Sequence, residues 1–270
     1  MASGKGAGGV QSRGLIGRLR GWRQIPLAGV LSVIGGLLLW EFVSRYLVAN
    51  ALFLAGPSQI FRAIVTLART GELGRHVAIS AAEFAIGYVI ASFLGVVCGM
   101  AMAGSAILKR IMQPWISGLY ATPTIALAPL FILWMGIGIW SKVLVVITLV
   151  LFPVSINTEA GLRTTSERLI EMLRSFGASP QQIFFKVSLP SALPFILAGL
   201  KLGIGRGLIG VVVAELFGSR AGIGRLISAA ADSFNMPDLF AGVVLLAGAG
   251  IAMTAGFGWI ESRLVPWTKE

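Results

Sequence analysis

Few side chains in this sequence could carry chemistry, and their spacing excludes most reactions. His76 is the single histidine and Cys98 the single cysteine. A His-rich metal site and an intrachain disulfide are therefore excluded, and a Ser-His-Asp triad would have to use His76. His76 follows Arg75 just ahead of an apolar run, which suits an interfacial loop. No G-x-x-x-x-G-K-S/T phosphate loop occurs. What remains is charge inside apolar sequence: Lys201, Arg206 and Glu215 share one hydrophobic segment. Each such charge costs about 2.5–3.5 kcal/mol at a span centre on insertion scales. Lys201 and Glu215 would share a helix face but stand about 21 Å apart along it, too far to pair. Arg206 would point elsewhere. Lys201 or Arg206 could line a path for an anionic solute, or bridge to acids on other helices such as Glu83 or Glu41.

The elements that must hold these charges follow from composition. Hydrophobic residues make up 56% of the 270-residue chain and charged residues only 12%. A soluble globule of this size could not cover its surface with so few charges. The chain therefore reads as all-α and polytopic in a membrane, with about six spans of roughly 20 residues each. They fall near Ile25–Val48, Val77–Ile107, Ile111–Gly136, Ile137–Ile156, Ala192–Phe217 and Leu239–Ile260. The third and fourth meet at Gly136-Ile137-Gly138, between Trp134 and Trp140, as interfacial tryptophans would. Pro114, Pro123, Pro129 and Pro153 should kink the third and fourth spans and free backbone carbonyls. With Asn157 and Thr158 they make these spans the expected lining of a translocation path. Packing of kinked helices accounts equally well for each residue taken singly.

The net charge of +11 has two readings, nucleic-acid binding or retention of loops on the cytoplasmic side. With the N-terminus inside, thirteen Lys and Arg lie in inner segments and six in outer ones. The expectation is N-in and C-in, with no nucleic-acid partner. Residues 1–24 form a basic cytoplasmic tail, partly disordered or folded as an interfacial helix on anionic lipid. Residues 25–265 form the membrane domain. A cleaved signal peptide is not favoured, because Glu41 and Arg45 precede the Ala49-Asn50-Ala51 candidate site and the apolar segment is too long.

The inner connection at 164–190 has structure of its own. Thr164 and Glu167 have capping-box spacing, and Leu169, Ile170, Leu173 and Phe176 form one apolar stripe. Gly177 supplies a left-handed helix end. Ser179, Pro180 and Gln182 then predict a second helix start, with Pro190 closing that helix. This helix–turn–helix must find a cover for its stripe, in a groove on a partner or against the span ends. A DNA-reading helix-turn-helix is disfavoured, since flanking spans leave it no core of its own.

In this loop the chain resembles the permease subunits of ATP-binding-cassette importers. Their signature is Glu-Ala-Ala, three residues, Gly, nine residues, then Ile-x-Leu-Pro. Here it stands as Glu171, Gly177 and Val187-Ser188-Leu189-Pro190, with Met172 and Leu173 replacing the alanines and Val187 the isoleucine. Gly56-Pro57-Ser58, Trp134-Met135-Gly136-Ile137-Gly138 with Ser141-Lys142, Phe152-Pro153, Asn157-Thr158, Gly161, Ala214-Glu215 and Gly222-Ile223-Gly224 are similar to the branch that takes up nitrate, sulfonates, taurine, bicarbonate and thiamine precursors. The resemblance runs from about residue 40 to the C-terminus.

The resemblance implies a multi-pass permease in a bacterial inner membrane, dimeric, paired with two cytoplasmic ATPase subunits and served by an external binding protein. ATP and magnesium would bind the ATPases, and this chain would hold no cofactor and be no enzyme. Glu171, Leu173, Arg174, Phe176, Gly177, Ala178, Ser179, Leu189 and Pro190 would meet the ATPase. Pro123, Pro129, Asn157, Thr158, Lys201, Arg206 and Glu215 are the candidates for the path of a small anionic or polar solute. The resemblance gives Lys201 and Arg206 no substrate role, so ion pairing is the expectation for both. A self-contained secondary transporter would call for an internal repeat or broken helices with midplane acids. A membrane enzyme would need a catalytic cluster that the sequence lacks.

Overall fold

The computed structural model describes residues 14–48 and 53–266, and for 14–27 the backbone alone. Met1 to Arg13, part of the expected basic tail, lie outside the described residues. The structure divides into two units at Phe61–Arg62.

In the first unit, α1 (Gly14–Phe42) continues into a widened turn at Val43–Leu47. The α1 backbone is unbroken across residue 24, where the tail was expected to end. The Glu41 carboxylate pairs with Arg45, accepts the Ser58 amide at 3.0 Å and accepts the Ser58 hydroxyl at 2.8 Å. An anion at the first turn of α2 (Pro57–Arg69) satisfies a helix amide that has no partner within the helix. Glu41 is thus committed to Gly56-Pro57-Ser58.

The second unit is built on three long helices, α3 (Glu72–Gly104), α6 (Ile139–Arg163) and α9 (Leu189–Gly218), with α6 packed between α3 and α9. Lipid tails are as apolar as leucine, so close approach of small residues is what holds such helices together. Gly199, Gly203 and Gly207 recur every fourth residue on α9 and lie against Asn157, Val150 and Phe84. Gly99 on α3 lets the Ser155 carbonyl and Thr158 approach so closely that an added Cβ would fall 2.6 Å from each. Val146, Val150, Val154, Phe84 and Val211 fill the core between these contacts. Gly99→Ala is therefore expected to destabilise the chain by about 1–3 kcal/mol through overpacking. Thermal unfolding in detergent reads this, with Gly104→Ala, open to 4 Å, as the control. Equal melting of the two variants would contradict the packing argument.

The third span is a broken one. Here α4 (Ala106–Ala121) ends before Thr122, which is extended ahead of Pro123 as residues before proline are. A short 3-10 turn (Thr124–Leu127) and α5 (Ala128–Met135) follow at an angle of 85° to α4. Gly136, at φ +77°, closes α5 and starts the turn into α6. Beyond α9, α10 (Ile223–Asp232) leads to α11 (Met236–Leu264). Among the described residues, five helices are long and apolar enough to cross a membrane, and the bent α4–α5 pair makes a sixth crossing if it counts as one.

Candidate functional site

The connection between α6 and α9 contains α7 (Glu167–Ser175) and α8 (Pro180–Ile183). The turn between them caps the end of α7. The Gly177 amide donates to the Arg174 carbonyl at 2.9 Å and the Ala178 amide to the Leu173 carbonyl at 3.0 Å, with Gly177 at φ +78°. This is the paired-bond glycine cap that a left-handed residue permits. Ser179 and Gln182 form the expected reciprocal box at the start of α8.

Two local expectations fail. The start of α7 is at Ser166–Glu167, and the Thr164 hydroxyl donates instead to the Gly161 carbonyl at 2.7 Å, prolonging the end of α6. Pro190 does not close the second helix. A widened turn at Phe184–Ser188 carries the chain from α8 into α9, and Pro190 sits in the first turn of α9, where its missing N–H costs nothing.

The apolar stripe of α7 is only partly covered by this chain: Ile170 and Leu173 are half-buried, and Leu169 and Phe176 are exposed. No residue of α7 is buried, Met172 is 48% exposed and Phe176 is 82% exposed. Glu171, Arg174, Gly177 and Ser179 are also exposed, while Leu173, Ala178, Leu189 and Pro190 are half-buried. A cleft of about 400 Å³ lies between the two helices, bordered by Leu173, Phe176, Ile183 and Val187. Packing against this chain, the expected alternative, therefore leaves half of the stripe open, at Leu169 and Phe176.

The charges of α9 have partners other than those expected. Lys201 bonds Glu261 of α11 at 3.3 Å. Arg206 donates to the Tyr120 hydroxyl at 2.9 Å and lies 4.9 Å over its ring. Neither is joined to Glu83. Arg206 is exposed and sits seventeen positions into α9, about 26 Å along its axis. Around it Phe195, Leu202, Ile209 and Leu216 are exposed too. An arginine presented to acyl chains there would cost several kcal/mol, so this face meets protein or water.

Glu215 does not line an open path. It is fully buried and holds the α9–α10 loop. Its carboxylate accepts the Ser80 hydroxyl and, at 2.6 Å, the Gly224 amide, while Ser80 accepts the Ile223 amide at 2.8 Å. His76 Nδ1 lies 2.8 Å from the Gly222 carbonyl oxygen, on the same loop. Glu83 and Lys142, each at most 3% exposed, complete this buried group beside Glu215. Thr158 is also fully buried, against Gly99, and the Asn157 amide returns to its own helix at the Pro153 carbonyl. Pro123 and Pro129 are exposed at the break between α4 and α5. Of the expected path residues, Lys201, Arg206, Pro123 and Pro129 lie on exposed faces, whereas Glu215 and Thr158 are buried. Tyr120 escaped sequence reading because nothing in helical period links it to a cation 86 residues away.

Residues 91–270 match the sequence family described as the binding-protein-dependent transport system inner membrane component. A formylaminopyrimidine transport permease protein of Halalkalibacterium halodurans is 31% identical over 87% of this chain and 93% of its own length. A taurine transport system permease protein of Escherichia coli is 31% identical over 92% of each. Among solved structures, an inward-facing methionine ABC transporter matches with TM-score 0.57 and 20% identity, over 72% of this chain and 95% of that one. An amino acid ABC transporter matches with TM-score 0.58 and 17% identity, over 74% and 95%. These structural likenesses speak to the fold.

Proposed function

Because the chain belongs to the family of inner-membrane components of binding-protein-dependent transport systems, in its sulfonate, taurine and thiamine-precursor branch, we propose that it forms half of an importer's path for small organic anions. A second copy supplies the other half, an external binding protein delivers the solute, and two ATPase subunits dock on the α7–α8 loop. The loop side is then cytoplasmic and the N- and C-termini lie inside, in a bacterial inner membrane. ATP and magnesium act on the partner subunits.

The observation that carries the anionic reading is Arg206: an exposed guanidinium deep in a span, its one described contact a neutral tyrosine. Tyr120 orients the guanidinium without neutralising it, so its charge stays available to a carboxylate or sulfonate. The exposed Leu169 and Phe176 support the docking half of the reading, because apolar side chains left open on a loop suit a groove on another protein.

The test is uptake by the reconstituted transporter. With a small sulfonate as probe, Arg206→Gln is expected to reduce uptake about tenfold or more, the scale of a lost charge-assisted contact. Arg206→Lys should keep part of it. Full uptake by the assembled Arg206→Gln variant would remove Arg206 from the path.

A further inference from the structure

A cavity of about 560 Å³ opens at the end of α4 and α6 that carries the α7–α8 loop. Lys109, Arg110, Gln113, Ser117 and Arg163 line it. Lys109 and Arg163 both lean on one oxygen of Glu159, at 2.6 and 3.5 Å. Arg110 makes no ion pair among the described residues. Three cations thus face a single carboxylate, and the cavity keeps a surplus of positive charge.

The positions of these groups matter as much as their sign. Residues 110, 113 and 117 recur at helical spacing on one face of α4, and the next position on that face is Tyr120, which holds Arg206. The exposed aliphatic residues Ile107, Ile111 and Leu119 and the exposed Trp115 of α4 occupy a different face. A polar row separated in this way from an apolar row belongs against water or protein, not acyl chains. It runs from the middle of the span to the basic cavity.

We infer that this cavity is an oxyanion-binding site at the loop-side mouth of the path, suited to a sulfonate, sulfate or phosphate group. The two guanidinium groups offer forked donors to a tetrahedral or trigonal oxyanion. The Lys109 ammonium adds a point charge, and the Gln113 amide and Ser117 hydroxyl can serve a remaining oxygen. Such a group can arrive on a translocated solute or on a lipid. The site is assigned to the solute because it continues the row that begins at Arg206, and in this it rests on the path proposed above.

The experiment uses the full chain in nanodiscs of zwitterionic phosphatidylcholine, with labelled sulfate as the probe. Saturable binding is expected. Arg110→Gln should weaken it about tenfold or more, and Arg110→Lys should restore part of it. Because Arg110 is exposed and unpaired, neither change threatens folding. Sulfate binding that ignores Arg110→Gln would overturn the site. So would the absence of sulfate binding in phosphatidylcholine together with Arg110-dependent retention of phosphatidylglycerol, which would make the cavity a lipid site. If uptake proves independent of Arg206 while sulfate binding still depends on Arg110, the path reading fails and the anion site stands.

Discussion

Gly177→Val is expected to abolish most solute uptake by the assembled transporter while leaving the chain inserted in the membrane. Nothing lies within 4 Å of a Cβ built at Gly177, so the effect is not a clash with a neighbour. It arises from the backbone. At φ +78° a residue with a Cβ is strained by about 1–2 kcal/mol, and a β-branched one by more. Relief requires rotating Gly177 out of the left-handed region, which breaks the Gly177–Arg174 and Ala178–Leu173 bonds together. α8 then leaves its angle to α7, and with it the Ser179–Gln182 box. Since α8 runs through the widened turn into α9, the element proposed to dock an ATPase and the helix that bears Arg206 would lose their fixed relation. A strain of 1–2 kcal/mol is roughly a tenfold loss of the competent turn. Gly177→Asn, which tolerates this region, should lose least. Uptake and ATP hydrolysis measured on the same proteoliposomes separate the outcomes. Hydrolysis that continues without uptake is the expected pattern, and unchanged uptake would exclude the turn as a coupling element.

What could be read from the residues was largely local. The apolar runs located the five helices long enough to cross a membrane among the described residues, because span length and hydropathy are properties of a single segment, but the run at 111–136 did not report the 85° bend between α4 and α5. The turn at Gly177 and the box at Ser179 were equally visible, since their donors and acceptors lie within three to five positions. Thr164 misled because the same hydroxyl can cap a new helix or extend an old one, and the choice depends on how α6 ends against α9. Pro190 misled because a widened turn upstream absorbed the lost amide. Partners of charges were not legible at all. Lys201 to Glu261 and Arg206 to Tyr120 join different helices, and no periodicity reports which faces meet. Glu215 looked like a path residue only because its buried companions Ser80, Glu83 and Lys142 are scattered over the chain.

That buried group carries the largest stability prediction. Lys142 is 2% exposed, its ammonium donates to the Gly138 carbonyl at 3.0 Å, and among the described residues it is the one cation set against the carboxyls of Glu83 and Glu215. Removing one partner from a buried ion group strands the others and typically costs about 3–5 kcal/mol. Lys142→Met is close in shape and should cost that much, because two neighbouring acids are left without a cation. Glu83→Gln alone leaves one lysine facing one carboxylate, which balances, so it should be nearly neutral or mildly stabilising. Combining the two should recover part of the loss, since Glu215 keeps its donors from Ser80 and Gly224 but no longer shares its surroundings with a second acid. The double-mutant cycle would then show an interaction larger than the roughly 0.5 kcal/mol scatter of independent sites. Thermal unfolding of the purified variants in detergent gives all four corners of the cycle. Strict additivity would mean that Lys142 and Glu83 do not act on one another. The loop Gly222-Ile223-Gly224 should loosen with the cluster, because its amides are held by Ser80 and Glu215, and proteolysis near Gly222 in the Lys142→Met variant reports that release independently of melting.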